Sequence, residues 1–254
     1  MSDLSNKDNN EHPYGSGVFR RRIKINCRNS SVEILLEDDN HGFQLCLNHD
    51  GNAVTGIDVN PIRYPYDTCP AAIDKLTALV GQPLSALQEL SSVTKARLHC
   101  THLFDLLQLA IDYSEHSDTD HQYDIVIPDE IDGLQKGSIS LDGEIIHDWL
   151  ASNNMLVAPP NLKGQPLMRG FYAWAQELIP DHQRRAAEAL QRGFIVSTSR
   201  RVDMENFADQ PVNTQIMPVG ACHSMQPGIV EGAQRNRGVV RDFTDTEELL
   251  LKFQ

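Results

Sequence analysis

The chain predicts an α+β fold in which antiparallel β-meanders are each followed by helices, and three features carry that reading. From Gly17 onward apolar residues recur at every second position, the period of a strand with one buried face. Asp-Gly pairs at 50–51 and 142–143 punctuate these runs as hairpin turns, because glycine tolerates the positive φ of a tight turn. Between the runs the period changes to that of a helix, most clearly at Leu103, Leu106, Leu107, Ala110 and Ile111.

In chain order, Phe19, Ile23, Ile25 and Cys27 share one face of a first strand, interrupted by Arg21. Val32, Ile34 and Leu36 mark a second strand, Phe43, Leu45 and Leu47 a third, and residues 54–59 a fourth. Pro70, preorganised for a first helical turn, opens a helix whose stripe is Ile73, Leu76, Leu79 and Val80, and Gly81 stops it. A short helix over 84–90 follows, then the longer one from Thr101. The second half repeats the plan. Tyr123, Ile125 and Ile127, then Ile139 and Leu141, then Ile145 onward and residues 155–157 read as strands. Phe171, Trp174 and Leu178 pack one helix; Ala186, Ala187 and Leu190 pack another, with Gly193 as its end and 194–199 as a further strand. Residues 247–253 predict a short terminal helix. The expected organisation is a loose tail over 1–15, a first unit over 16–115 and a second over 116–254, packed as one body.

Composition narrows the function classes. Net charge is −13 with ten histidines counted neutral, which argues against a nucleic-acid partner, since that affinity rests on Lys and Arg neutralising phosphates. The basic clusters Arg20-Arg21-Arg22 and Arg200-Arg201 fall at predicted strand ends without interleaved aromatics and read as a solvated edge or as carboxylate-paired, with a small anionic ligand as the alternative. No apolar run has the length a membrane span needs, and the polar N-terminus lacks an apolar signal segment. Five cysteines, an odd number without framework spacing, predict reduced thiols and a cytoplasmic protein.

The candidate chemistry lies in cysteine and histidine. Cys69 and Cys100 both stand at predicted helix starts, where the macrodipole favours thiolate. Cys100 and His102 fall within one turn, and Asp105, at i+3 from His102, is placed to orient the imidazole. Cys69, Cys100 and His102 with a carboxylate would make a mixed site suited to zinc or iron. Cys222, followed by His223 and preceded by the flexible Gly220, is a further ligand candidate. Asp38 and His41, in a loop between strands, could approach the same pole of the sheet. For each the structural alternative is a buried filler or a local hydrogen-bonder. Cys27 and Cys46 read as structural. No GxGxxG, GxxxxGK[ST], HExxH or GxSxG pattern is present.

The string Arg63-Tyr64-Pro65-Tyr66-Asp67-Thr68-Cys69-Pro70, then Leu79-Val80-Gly81, then Cys100-Thr101-His102-Leu103-Phe104-Asp105-Leu106-Leu107, resembles the bacterial domain-of-unknown-function family 2889. Asp38-Asp39-Asn40-His41 and Arg169-Gly170-Phe171 with Trp174-Ala175 extend the resemblance over most of residues 16–245. It implies no activity. The order of meander, helix-start cysteine, glycine stop and second helix-start cysteine is also similar to iron–sulfur scaffold proteins, which bind zinc or a nascent cluster through Cys and Asp. This chain lacks their Gly-Asp near the first cysteine and their Gly-Cys-Ala before the helix.

The expected function is a metal- or thiol-dependent enzyme of small-molecule metabolism, centred on Cys69, Cys100 and His102, with zinc or iron as the expected metal. The alternatives are a non-catalytic metal or iron–sulfur accessory protein and a binding module whose cysteines and histidines only pack.

Overall fold

A computed structural model describes residues 14–212, 214–215 and 217–253. Most of the tail expected over 1–15 lies outside the described residues. The first meander is formed by β1 (Val18–Arg28), β2 (Ser31–Asp38), β3 (Gly42–His49) and β4 (Val54–Arg63). Five short helical segments follow it: a 3-10 turn, Cys69–Ala72, running into α1 (Ile73–Thr77), then α2 (Leu84–Leu87), α3 (Leu90–Val93) and a second 3-10 turn, Ala96–Leu98. The 84–90 helix predicted from sequence is thus split into two single turns. Helix α4 (Thr101–Asp112) closes the first half.

The second meander comprises β5 (Asp120–Pro128), β6 (Gln135–Leu141), β7 (Glu144–Ser152) and β8 (Met155–Ala158), followed by α5 (Phe171–Leu178) and α6 (Asp181–Ser197). The two meanders fuse into one antiparallel sheet of order β4-β3-β2-β1-β5-β6-β7-β8. Their first strands pair with each other, Val18 opposite Pro128 through Asn26 opposite Asp120. The protein is α+β.

Alternation makes the sheet one-sided. Phe19, Ile23, Ile25, Cys27, Val32, Ile34, Leu36, Leu45 and Leu47 are buried on one face, and α4 and α6 cover that face side by side, α4 over β2 and β3 and α6 over β5 and β6. Helix α6 corrects the expectation of a strand over 194–199. Its apolar spacing runs Ala186, Leu190, Phe194 and ends at Ser197, and Gly193 lies inside the helix rather than at its end. A side chain at Gly193 would meet Ile125 Cγ2 and Ile127 Cδ1 at 3.0 Å, so the glycine lets the helix lie directly on the sheet. Arg200 and Arg201 consequently sit in the 3-10 turn Thr198–Arg201 after α6, not at a strand end.

Both basic clusters are paired with carboxylates. Arg20 bonds Glu247, Arg22 bonds Asp124 at 2.6 Å, and Arg200 bonds Asp39 and Asp129 at 2.9 and 2.8 Å. The expected terminal helix is the single 3-10 turn Glu247–Leu249. No helix among the described residues is long and apolar enough to cross a membrane.

Candidate active site

Arg21 and Asp38 are direct neighbours across β1 and β2, both on the buried face. A charged residue at an inward strand position needs a buried partner, since an unpaired buried charge costs several kcal/mol. Asp38 supplies it: its Oδ2 accepts from Arg21 Nε at 2.9 Å and Nη2 at 2.6 Å. Its Oδ1 accepts from the backbone N–H groups of Asn40 and His41, both at 2.8 Å, and from His41 Nδ1 at 3.0 Å. These bonds fold residues 38–41 into an Asx-type turn that fixes the His41 ring.

Helix α4 brings the second imidazole. His102 lies in its first turn, with its ring centre 3.8 Å from that of His41 at 32° between planes. His102 Nε2 is 3.2 Å from Arg21 Nη2. Because a guanidinium only donates, Nε2 is the acceptor, and a neutral His102 carries its proton on Nδ1.

Both imidazoles are depressed below the ordinary histidine range. Burial pushes His102 well below the ordinary histidine range, and the neighbouring His41 and Arg21 push it further the same way. Burial likewise lowers His41, against the pull of Asp38. For Asp38 burial acts upward, but His41 and Arg21 together hold the carboxyl well below the usual range.

His102 and Arg21 are also part of the wall of a cavity of ≈ 540 Å³ between α4, α6 and the sheet. That volume is typical of a small-molecule pocket. Its apolar lining includes Ile23, Leu36, Phe104 and Leu109, and its polar lining includes Asp105, Tyr172, Glu188 and Arg192. Arg21 Nη1 has no hydrogen-bond partner among the described residues.

The cysteines are arranged differently from the expectation. Among the described residues one set of three Cys, His, Asp or Glu side chains has donor atoms within 4.8 Å of one another, and it is Asp38, His41 and His102. Cys69, Cys100 and Cys222 join His102 in no such set. The three thiols do share one neighbourhood: burial pushes Cys100 up, and Cys69 and Cys222 add to it. Burial raises Cys69 to about 11, against a 3.5 Å contact with Ser224 Oγ, and raises Cys222 as well. Desolvation therefore overrides the helix-start effect, which is small at the four-residue 3-10 turn beginning at Cys69. Asp105 does not orient His102; its carboxylate takes Arg192 Nε at 2.8 Å. The carboxylate that organises the imidazoles is Asp38. Cys27 is buried in β1 and Cys46 half-buried in β3.

Aspartate with two histidines is a donor set that zinc and iron use, so the cluster is a possible metal site. Its bonds, however, are committed internally. Asp38 already accepts five hydrogen bonds, and His102 Nε2 holds Arg21. Two imidazoles on one tetrahedral ion, with bonds of ~2.0–2.1 Å, place their ring centres roughly 5 Å apart, wider than the 3.8 Å found.

From sequence, Asp38 and His41 rank below the cysteines, and Arg21 reads as part of a basic strand end rather than as a buried charge. Strand parity was the available signal. Asp38 continues the inward series Val32, Ile34, Leu36, and Arg21 sits between inward Phe19 and Ile23, so two opposite charges were due to meet in the core.

No family model matches this chain, and no curated protein matches it.

Proposed function

We propose that the protein is an enzyme acting on a small molecule bound in the 540 Å³ cavity, with His102 and Arg21 as the groups that meet the reacting atoms. The observation that supports this is the double membership of His102: it belongs both to the buried Asp38–Arg21–His41 cluster and to the wall of the cavity. A neutral imidazole beside a fixed guanidinium is suited to stabilising negative charge on a substrate oxygen. The His102 Nδ1–H and the uncommitted Arg21 Nη1–H are donors, and burial strengthens what they contribute. Neutral imidazole polarising a carbonyl is a known use of a histidine whose pKa is depressed. Asp105 and Glu188, on the same wall, are the groups placed to exchange a proton with substrate. In this reading Asp38 and His41 position Arg21 and His102, and the thiols take no part.

Mass-spectrometric comparison of a metabolite extract incubated with wild-type protein and with His102→Gln tests it. The wild-type protein should deplete at least one small molecule that the variant leaves at its starting level. Identical extracts after both incubations contradict the reading.

A second reading, a zinc or iron centre on Asp38, His41 and His102, is supported by the convergence of their donor atoms within 4.8 Å. It requires His102 or Asp38 to release Arg21. Elemental analysis of protein purified without added metal decides between the two: stoichiometric zinc or iron, lost in His102→Gln, favours the metal centre. Metal bound without any turnover would favour an accessory or scaffold role.

A further inference from the structure

The cavity wall carries a second guanidinium with unused donors. Arg192, on α6, gives Nε to Asp105 at 2.8 Å, and its Nη2 reaches Asp105 and Tyr172 Oη only at 3.5 Å. Its Nη1 makes no hydrogen bond among the described residues, although the side chain as a whole is only 14% exposed. The group is therefore held in place along one edge and open along the other. It lies close enough to His102 to help depress that imidazole.

Guanidinium groups slightly outnumber carboxylates on the lining of the cavity itself. Arg21, Arg184, Arg185 and Arg192 line it, against the carboxylates of Glu89, Asp105 and Glu188. Asp38, Asp112 and Asp181, which pair with Arg21, Arg185 and Arg184, stand outside the lining. Arg184 and Arg185 also bond Glu89, and Arg185 bonds Glu188, so these two are paired on the lining as well. The rest of the wall is mixed, with an apolar part that includes Ile23, Leu36, Phe104 and Leu109 and polar side chains such as Ser92 and Gln176.

From this pairing of an open guanidinium edge with a partly apolar wall, we infer that the cavity takes an organic acid with an apolar body, its carboxylate bound by Arg192 Nη1 and Nη2. The inference rests on the reading of the cavity as the substrate site and adds the substrate class. Arg192 is a specificity residue here. Asp105 fixes it along the Nε edge, leaving the fork that suits a carboxylate.

The test is calorimetric titration of the whole protein with straight-chain carboxylates from hexanoate to decanoate and with the matching primary amides. An acid of this series should bind about ten-fold or more tighter than its amide, the discrimination expected of a charged hydrogen bond. Arg192→Met should remove that preference while leaving the amide's affinity unchanged. His102→Gln should keep it, because the anchor is not His102. Failure of the acids to bind wild-type protein, equal binding of acid and amide, or a preference that survives in Arg192→Met would each overturn the inference. An acid preference that persists in a His102→Gln protein still active on the extract would instead overturn the catalytic reading and leave the anion site standing.

Discussion

Arg21 Nη2 stands 3.2 Å from His102 Nε2, so a buried guanidinium donates to the imidazole it lies beside. The contact joins β1 to the first turn of α4, and it fixes which nitrogen of a neutral His102 bears the proton. Asp38 makes the arrangement possible, because its carboxylate holds Arg21 by two bonds while its other oxygen holds His41.

Removing the Asp38 charge should therefore unsettle the whole cluster. Asp38→Asn leaves Arg21, 2% exposed, without its counter-charge, and loss of one partner of a buried ion pair costs about 3–5 kcal/mol. Urea denaturation should show a loss of this size. A loss below about 1 kcal/mol would mean that solvent reaches Arg21 and that the cluster is not sealed.

The histidines make the fold sensitive to acid. Burial lowers His41, His99, His102, His147 and His223 below their unfolded value. Below about pH 6.5 the unfolded chain binds protons that the folded chain refuses, so stability falls as pH drops through that value. Asp39 acts in the opposite sense. Burial raises it to about 7, so its folded form gains relative stability as pH falls through 7. Burial also raises Asp112 and Glu188, in the same sense as Asp39. Five depressed histidines against these three carboxyls predict a lower melting temperature at pH 5.5 than at pH 7.5, and a smaller drop in His102→Gln than in wild-type protein. A melting temperature that rises on acidification would contradict the neutral, buried assignment.

Thiol chemistry separates this account from a cysteine nucleophile. Burial holds Cys69 at about 11 and Cys100 higher still, so neither is thiolate at neutral pH. Iodoacetamide at pH 7.5 on the folded protein, followed by peptide mass spectrometry, should modify half-buried Cys46 first and leave Cys69 and Cys100 unmodified. Rapid labelling of Cys100 would restore the thiol to the mechanism.

Much of the fold was legible in the sequence, and the reasons are local. Period-two runs and Asp-Gly turns marked the eight strands, together with a ninth over 194–199 that is helix and turn, and the stripe Leu103–Leu106–Leu107–Ala110–Ile111 placed α4. The end of α6 was not legible, because Gly193 reads as a stop until the sheet beneath it is known: the residue is there for its closeness to Ile125 and Ile127, a tertiary reason. The joining of the meanders through β1 and β5 is likewise long-range pairing that no local pattern encodes. For the site, His102 was visible as part of Cys-Thr-His at a helix start. Its partners were misjudged because reactive residue types drew attention to Cys69 and Cys100, whereas burial keeps those thiols protonated. The partners actually present, Arg21, Asp38 and His41, are set by strand parity and by a four-residue turn.

The state of His102 tests the account most directly. Long-range proton–nitrogen correlation spectra of uniformly nitrogen-15-labelled protein, with His102→Gln for assignment, report the protonation of each ring nitrogen across about pH 5 to 8. A His102 ring protonated at Nδ1, unprotonated at Nε2 and unchanged throughout that range is the predicted result. A ring that titrates near its ordinary value of about 6.5, or that carries its proton on Nε2, would contradict the bond from Arg21 and with it the role proposed for His102.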